Sequence, residues 1–190
     1  MGQFRVQSLH LREVQEIVFK IHAQHTSPSA ETFDAVICVL GIFFLPDMAA
    51  GVRGLWRLVR PGGQMAITTF GPRAFEPGDS AFWRAVLHER PDVYKAFNPW
   101  DRINEPAALA AMLLEGGTTT PEIVAESGFQ AIDSPQDFWT LVLGSGYRGT
   151  IQQLDQEACG RVCLATIDSL SRNSVSRVET NALYAICRKP

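Results

Sequence analysis

One run of residues has the types and spacing to hold a phosphate. Gly144-Ser-Gly146-Tyr-Arg-Gly149 is a G-x-G-x-x-G. Where such a run follows a strand and opens a helix, its glycines allow a tight turn and bring backbone N–H groups against a pyrophosphate. The apolar run Phe138–Leu143 precedes it, a helix-like stretch follows, and Arg188-Lys189 behind the last apolar run would suit a 2′-phosphate. That reading makes the chain an NADP-binding oxidoreductase. Two features oppose it. Ser134-Pro-Gln-Asp137 has the form of a capping box with Pro at the first helical position, which predicts a helix over 135–143 where the motif needs a strand. Tyr147 and Arg148 are bulky where backbone would hug phosphate. The competing expectation is a helix-ending glycine turn that exposes Tyr147 and Arg148.

Other reactive side chains form no catalytic pattern. His10, His22, His25 and His88 share no motif, and no residue is assigned to acid–base or nucleophilic catalysis. Cys159 and Cys163 lie one helical turn apart, but no nearby His or Cys completes a metal set, so no metal is expected. Cys38 and Cys187 sit inside strand-like apolar runs and read as small core residues.

The elements that position chemistry are clearest over 33–71. Phe33-Asp-Ala-Val-Ile-Cys-Val-Leu40 is nearly continuous in apolar residues, the pattern of a strand buried on both faces. Gly41–Pro46 is a loop, and Asp47 stands at an N-cap position. Met48, Val52, Leu55, Trp56 and Val59 make one helical stripe, which Arg60-Pro-Gly-Gly63 terminates. Gln64–Phe70 reads as the next strand. Strand, helix and strand in about 40 residues predict a βαβ crossover with parallel strands. Beyond Gly71-Pro72 the pattern predicts helices over 79–97 (broken near Pro91), 105–115, 135–143 and 151–172. It predicts strands over 122–127 and 181–187. Trp83 and Phe82 fall on the first of these helices and fit either a core or a substrate pocket. In the first 30 residues, Phe4–Val6 suggests a strand, Val14, Ile17, Val18 and Ile21 a helix, and Thr26–Ala30 a loop.

The unit 33–71 resembles the second half of the class I S-adenosylmethionine-dependent methyltransferases. The likeness rests on Phe33-Asp34 opening the strand, Leu45-Pro46-Asp47 after it, and Arg60-Pro61-Gly62-Gly63 before the following strand. It extends through DFWTLVLGSGYRGT to the final NALYAICRK strand. It implies an α/β fold: a partial Rossmann-like methyltransferase sheet with helices on both faces and an added helical segment. In open α/β sheets ligands bind outside the carboxyl ends of the strands. The resemblance therefore implies that Cys38, Val39, Leu40 and Gly41 pass beside S-adenosylmethionine. It makes Phe43 and Phe44 an apolar wall near the transferred methyl, and Trp83 and Tyr147 further substrate contacts. Displacement at a sulfonium needs alignment and exclusion of water more than an acid–base pair.

The family's glycine-rich motif and ribose-binding acid have no counterpart before residue 33. The resemblance thus divides the chain into a variant N-terminal segment, 1–32, and a truncated methyltransferase-like domain, 33–190. Three functions follow in order. The first is methyl transfer to a small molecule, with activity lost if the missing motif is essential. The second is a non-catalytic remnant acting through subunit association, as a homo-oligomer paired through an exposed sheet edge. The third is the oxidoreductase above.

Bulk properties narrow the setting. The chain has 190 residues, 46% of them hydrophobic, enough for one domain with a core. A formal net charge of −3, with no basic run longer than two, gives no attraction to nucleic acid or to an anionic membrane. The apolar run 35–45 is shorter than the roughly 20 residues a membrane span takes. With no secretory pattern at the N-terminus, a reducing, cytoplasmic setting is the expectation.

Overall fold

The computed structural model describes residues 30–96 and 98–190. The expectations for residues 1–29 lie outside the described residues.

The crossover read from the sequence is present. β1 (Phe33–Val39) leads through a 3-10 turn at Ile42–Phe44 into α1 (Met48–Leu58), and β2 (Val59–Phe70) pairs parallel to β1. Asp47 caps α1, its carboxylate accepting from the Ala50 N–H at 2.8 Å. The Pro-Gly-Gly turn differs from expectation. It lies inside β2 as an irregularity: Phe33 pairs with Val59, yet Ala35 already pairs with Gln64. Gly62, with φ +74°, and Gly63 are held there by Lys189, which accepts from Gly62 N–H and donates to Gly63 O. A Cβ at Gly63 would stand 2.8 Å from the Asp34 carbonyl, so this crossing of backbones requires glycine.

Among the described residues, β3 (Glu122–Glu126) and β6 (Ala182–Arg188) join β1 and β2 in a four-stranded sheet in the order β1-β2-β6-β3, with β6 antiparallel to both neighbours. A second sheet of β4 (Phe129–Ala131) and β5 (Arg177–Glu179) is too short to carry a sequence signal. Between the strands lie α2 (Gly78–Glu89), α3 (Pro106–Glu115), α4 (Pro135–Gly144), α5 (Arg148–Ile151) and α6 (Gln156–Arg172). The helix expected over 151–172 starts later than predicted because Asp155 caps α6, accepting from the Ala158 N–H at 2.8 Å. None of these helices is long and apolar enough to cross a membrane, and no group of three or more metal-binding side chains occurs among the described residues.

Cross-strand partners share a face, so the register separates the two sides of the sheet. Val36, Cys38, Met65, Ile67, Leu183, Ala185 and Cys187 lie on the covered side, and α1 and α3 pack against the sheet. On the other side Ile37, Val39, Val124 and Tyr184 are 69%, 63%, 52% and 39% exposed. The expectation that β1 is buried on both faces is therefore corrected. β1 is an edge strand among the described residues, covered on one face, and its continuous apolar run does not distinguish that case from a central strand.

Candidate functional site

The strand-end residues singled out in the sequence lie where β1 gives way to the 3-10 turn, beside the carboxyl end of β2. After β1 the backbone turns sharply: Leu40 takes φ +49° and donates its N–H to Thr68 O at 2.9 Å. Cys38 points to the covered side, and burial pushes its thiol up from the ordinary range. Val39 projects to the open side. A Cβ on Gly41 would meet Cys38 Sγ at 3.3 Å. The 3-10 turn then drives Ile42 and Phe43 into the core and leaves Phe44 61% exposed.

Phe43 opens an aromatic assembly at this end of the sheet. Its ring lies 5.7 Å from both Phe70 and Trp100, and Phe70 lies 5.2 Å from Trp100. Trp100 is 6.1 Å from Tyr147, and Tyr147 is 5.0 Å from Phe82 and 6.1 Å from Trp83. The structure thus joins Phe43, Phe44, Tyr147 and Trp83 in one cluster. Trp100 is its hub, and sequence reading missed it. It sits in a four-residue 3-10 turn, Pro99–Arg102, with no periodicity to mark it.

The glycine run reaches this cluster in an unexpected way. α4 precedes it, so the strand that a dinucleotide cradle requires is absent. None of its glycines takes positive φ. Gly146 instead faces the aromatics: a Cβ there would lie 3.5 Å from Trp100 and 4.0 Å from Phe44. The expectation of an exposed Tyr147 is corrected. Tyr147 is 1% exposed, while Arg148 is exposed as expected. The reason is a polar partner inside the cluster, because the Tyr147 hydroxyl donates to Asp79 Oδ1.

Asp79 was missed because an acid in a helix's first turn reads as a dipole contact. Gly78 before it has no room for a side chain: a Cβ would stand 2.2 Å from the Phe138 ring. Asn98, itself buried, donates to Asp79 Oδ1 at 3.1 Å, and its own N–H donates to Asp101 Oδ2 at 2.6 Å. Burial raises the Asp79 carboxyl above its ordinary range. The hydrogen bonds from Tyr147 and Asn98 oppose this, and the charges of Glu76 and Asp101 add to it. Burial first, then the Asp79 charge, push the Tyr147 phenol far above its ordinary range, so it stays protonated and donates. The indole N–H of Trp83 is buried without a hydrogen-bond partner.

A family model described as a methyltransferase domain matches residues 5–67, starting 28 residues before Phe33. Of solved structures, a protein assigned as a methyltransferase of an antibiotic biosynthesis pathway from Anabaena variabilis aligns at 14% identity with a TM-score of 0.54. The alignment covers 89% of this chain and 72% of that one. The chain has the fold of the class I methyltransferases. A protein assigned as a methyltransferase from Bacillus halodurans aligns at 15% identity and TM-score 0.48, over 87% of this chain and 68% of the other. Phosphoethanolamine N-methyltransferase 2 from Haemonchus contortus, held with phosphomonomethylethanolamine and S-adenosylhomocysteine, aligns at 15% identity and TM-score 0.39. There the chain spans 34% of its relative's length. No curated protein matches significantly.

S-adenosylmethionine is the cofactor that this resemblance carries. The described residues fit one side of it. Val39, Leu40 and Gly41 present backbone and an exposed apolar surface at the strand end, and Phe44 adds an exposed ring. They lack the polar side. The only acid in the loop 40–47 is Asp47, and its carboxylate is taken up in capping α1.

Proposed function

We propose that the chain is an S-adenosylmethionine-dependent methyltransferase-like protein acting on a small molecule. The supporting observation is the convergence of the strand-end loop and the Tyr147 cluster. Cys38–Gly41 would flank the cofactor, and Phe43, Phe44, Trp83 and Tyr147 would form the acceptor side. S-adenosylmethionine supplies a methyl group on a sulfonium. The chain's own contribution is a water-poor aromatic enclosure that fixes the acceptor's approach. A half-buried carboxylate, Asp79, stands at its rear. Four free cysteines suit a reducing compartment, and we place the protein in the cytoplasm. Calorimetric titration with S-adenosylhomocysteine, on the native chain and on Gly41→Arg, tests the reading.

The open side of β1 favours a second reading, association with another copy of the chain. The sole charge of β1, Asp34, is engaged by Arg60 through its Nε at 3.0 Å and its Nη2 at 2.5 Å. Nothing else on the strand deters pairing. An antiparallel copy centred on Ile37 sets Ala35 against Val39 and brings the exposed Ile37 and Val39 against their counterparts. Sedimentation velocity on native protein and Ile37→Lys checks it. A dimer that the substitution converts to monomer supports association, and a native monomer at all concentrations contradicts it.

A further inference from the structure

Between α2 and the turns at 91–101 lies an open cleft of about 320 Å³ whose walls include Asp79, Trp83, Arg84, Tyr94 and Lys95. Its volume falls in the range of small-ligand sites. Three observations define its chemistry. Asp79 is a half-buried carboxylate with no cationic partner among the described residues, and both of its protein donors go to Oδ1, leaving Oδ2 free. Such a group is costly to bury without a counter-charge. Trp83 and Tyr94 stand edge to face, 5.9 Å apart at 86°, and bring two electron-rich rings to the same cleft. At the mouth, Arg84 and Lys95 are exposed and make no ion pair among the described residues.

We infer that this cleft binds a small zwitterionic amine. The ammonium group turns inward to Asp79 Oδ2 between Trp83 and Tyr94, and the anionic group turns outward to Arg84 and Lys95. The inner wall selects for positive charge, because one uncompensated carboxylate lies beside two aromatic rings. The outer wall selects for negative charge, because both cations there are unpaired. The site stands on these residues alone. Only the role of its ligand as methyl acceptor rests on the methyltransferase reading.

The test uses the full chain, labelled with nitrogen-15, without cofactor. The Trp83 indole resonance is identified by its loss in Trp83→Phe, and Trp56, Trp100 and Trp139 serve as internal references. Phenylalanine, phenethylamine and 3-phenylpropionate are titrated in turn. The expected result is saturable movement of the Trp83 signal with phenylalanine, weaker binding of phenethylamine, and no binding of the acid. Asp79→Asn, which keeps both hydrogen bonds to Oδ1, weakens the two amines roughly tenfold or more. Binding of the acid, failure of phenylalanine to bind, phenethylamine binding as tightly as phenylalanine, or indifference to Asp79→Asn overturns the inference. These outcomes are read whether or not S-adenosylhomocysteine binds, so failure of the cofactor reading is seen separately.

Discussion

Tyr147 and Asp79, 68 residues apart in sequence, share a hydrogen bond between the glycine run and the cleft wall. The bond ties the glycine run to the first turn of α2 and closes the aromatic assembly over the strand ends. It also holds a partly desolvated acid, which contributes to the chain's response to pH.

The folded protein holds the Asp79 proton more tightly than the unfolded chain does, because burial raises its carboxyl above the ordinary range. Stability from this group is therefore fully present at acid pH, below the unfolded carboxyl's range. It is lost as pH rises through the folded value. Asp79→Asn removes that loss. The variant is expected to melt higher than native protein at pH 7, by roughly 2–4 °C per kcal/mol recovered, and the two should converge toward pH 4. Thermal unfolding by circular dichroism between pH 4 and 8 checks both the sign and the convergence.

Tyr147→Phe keeps the ring in place and removes the hydroxyl. With Asp79 present the expected cost is about 1.5–3 kcal/mol, the range for a hydrogen bond to a charged group. In the Asp79→Asn background the cost should fall, because the acceptor is neutral. Denaturant unfolding of the four proteins of this double-mutant cycle reads the difference. Equal costs in both backgrounds would show that Tyr147 acts through packing alone.

The crossover, the cap at Asp47, the helix over 135–143 and the final strand were legible because local rules fix them: alternation, capping residues and turn glycines. The Ser134 cap also decided the G-x-G-x-x-G question, since a capped helix cannot be the strand that a phosphate cradle needs. The candidate site was legible only in part. Phe43 and Phe44 followed from their place after β1. Trp100 and Asp79 did not, because their roles depend on contacts with Phe70 and Tyr147 that no local pattern encodes. The exposure of Ile37 and Val39 was hidden for a related reason: composition reports that a strand is apolar and not which neighbours cover it.

Titration with NADPH, followed by its fluorescence, is expected to give no saturable binding, because α4 occupies the place of the strand and the glycines take no left-handed conformation. Saturable binding that Gly146→Val abolishes would restore the oxidoreductase reading.

The central claim is that the loop leaving β1 borders the site of S-adenosylmethionine. Isothermal titration of the full chain with S-adenosylhomocysteine tests it most directly, beside Gly41→Arg. Gly41 has an ordinary φ of −123°, so arginine is compatible with its backbone while filling the space at the strand end. The account predicts saturable binding by the native chain that the substitution abolishes. Absence of saturable binding, or binding that Gly41→Arg leaves unchanged, would contradict it.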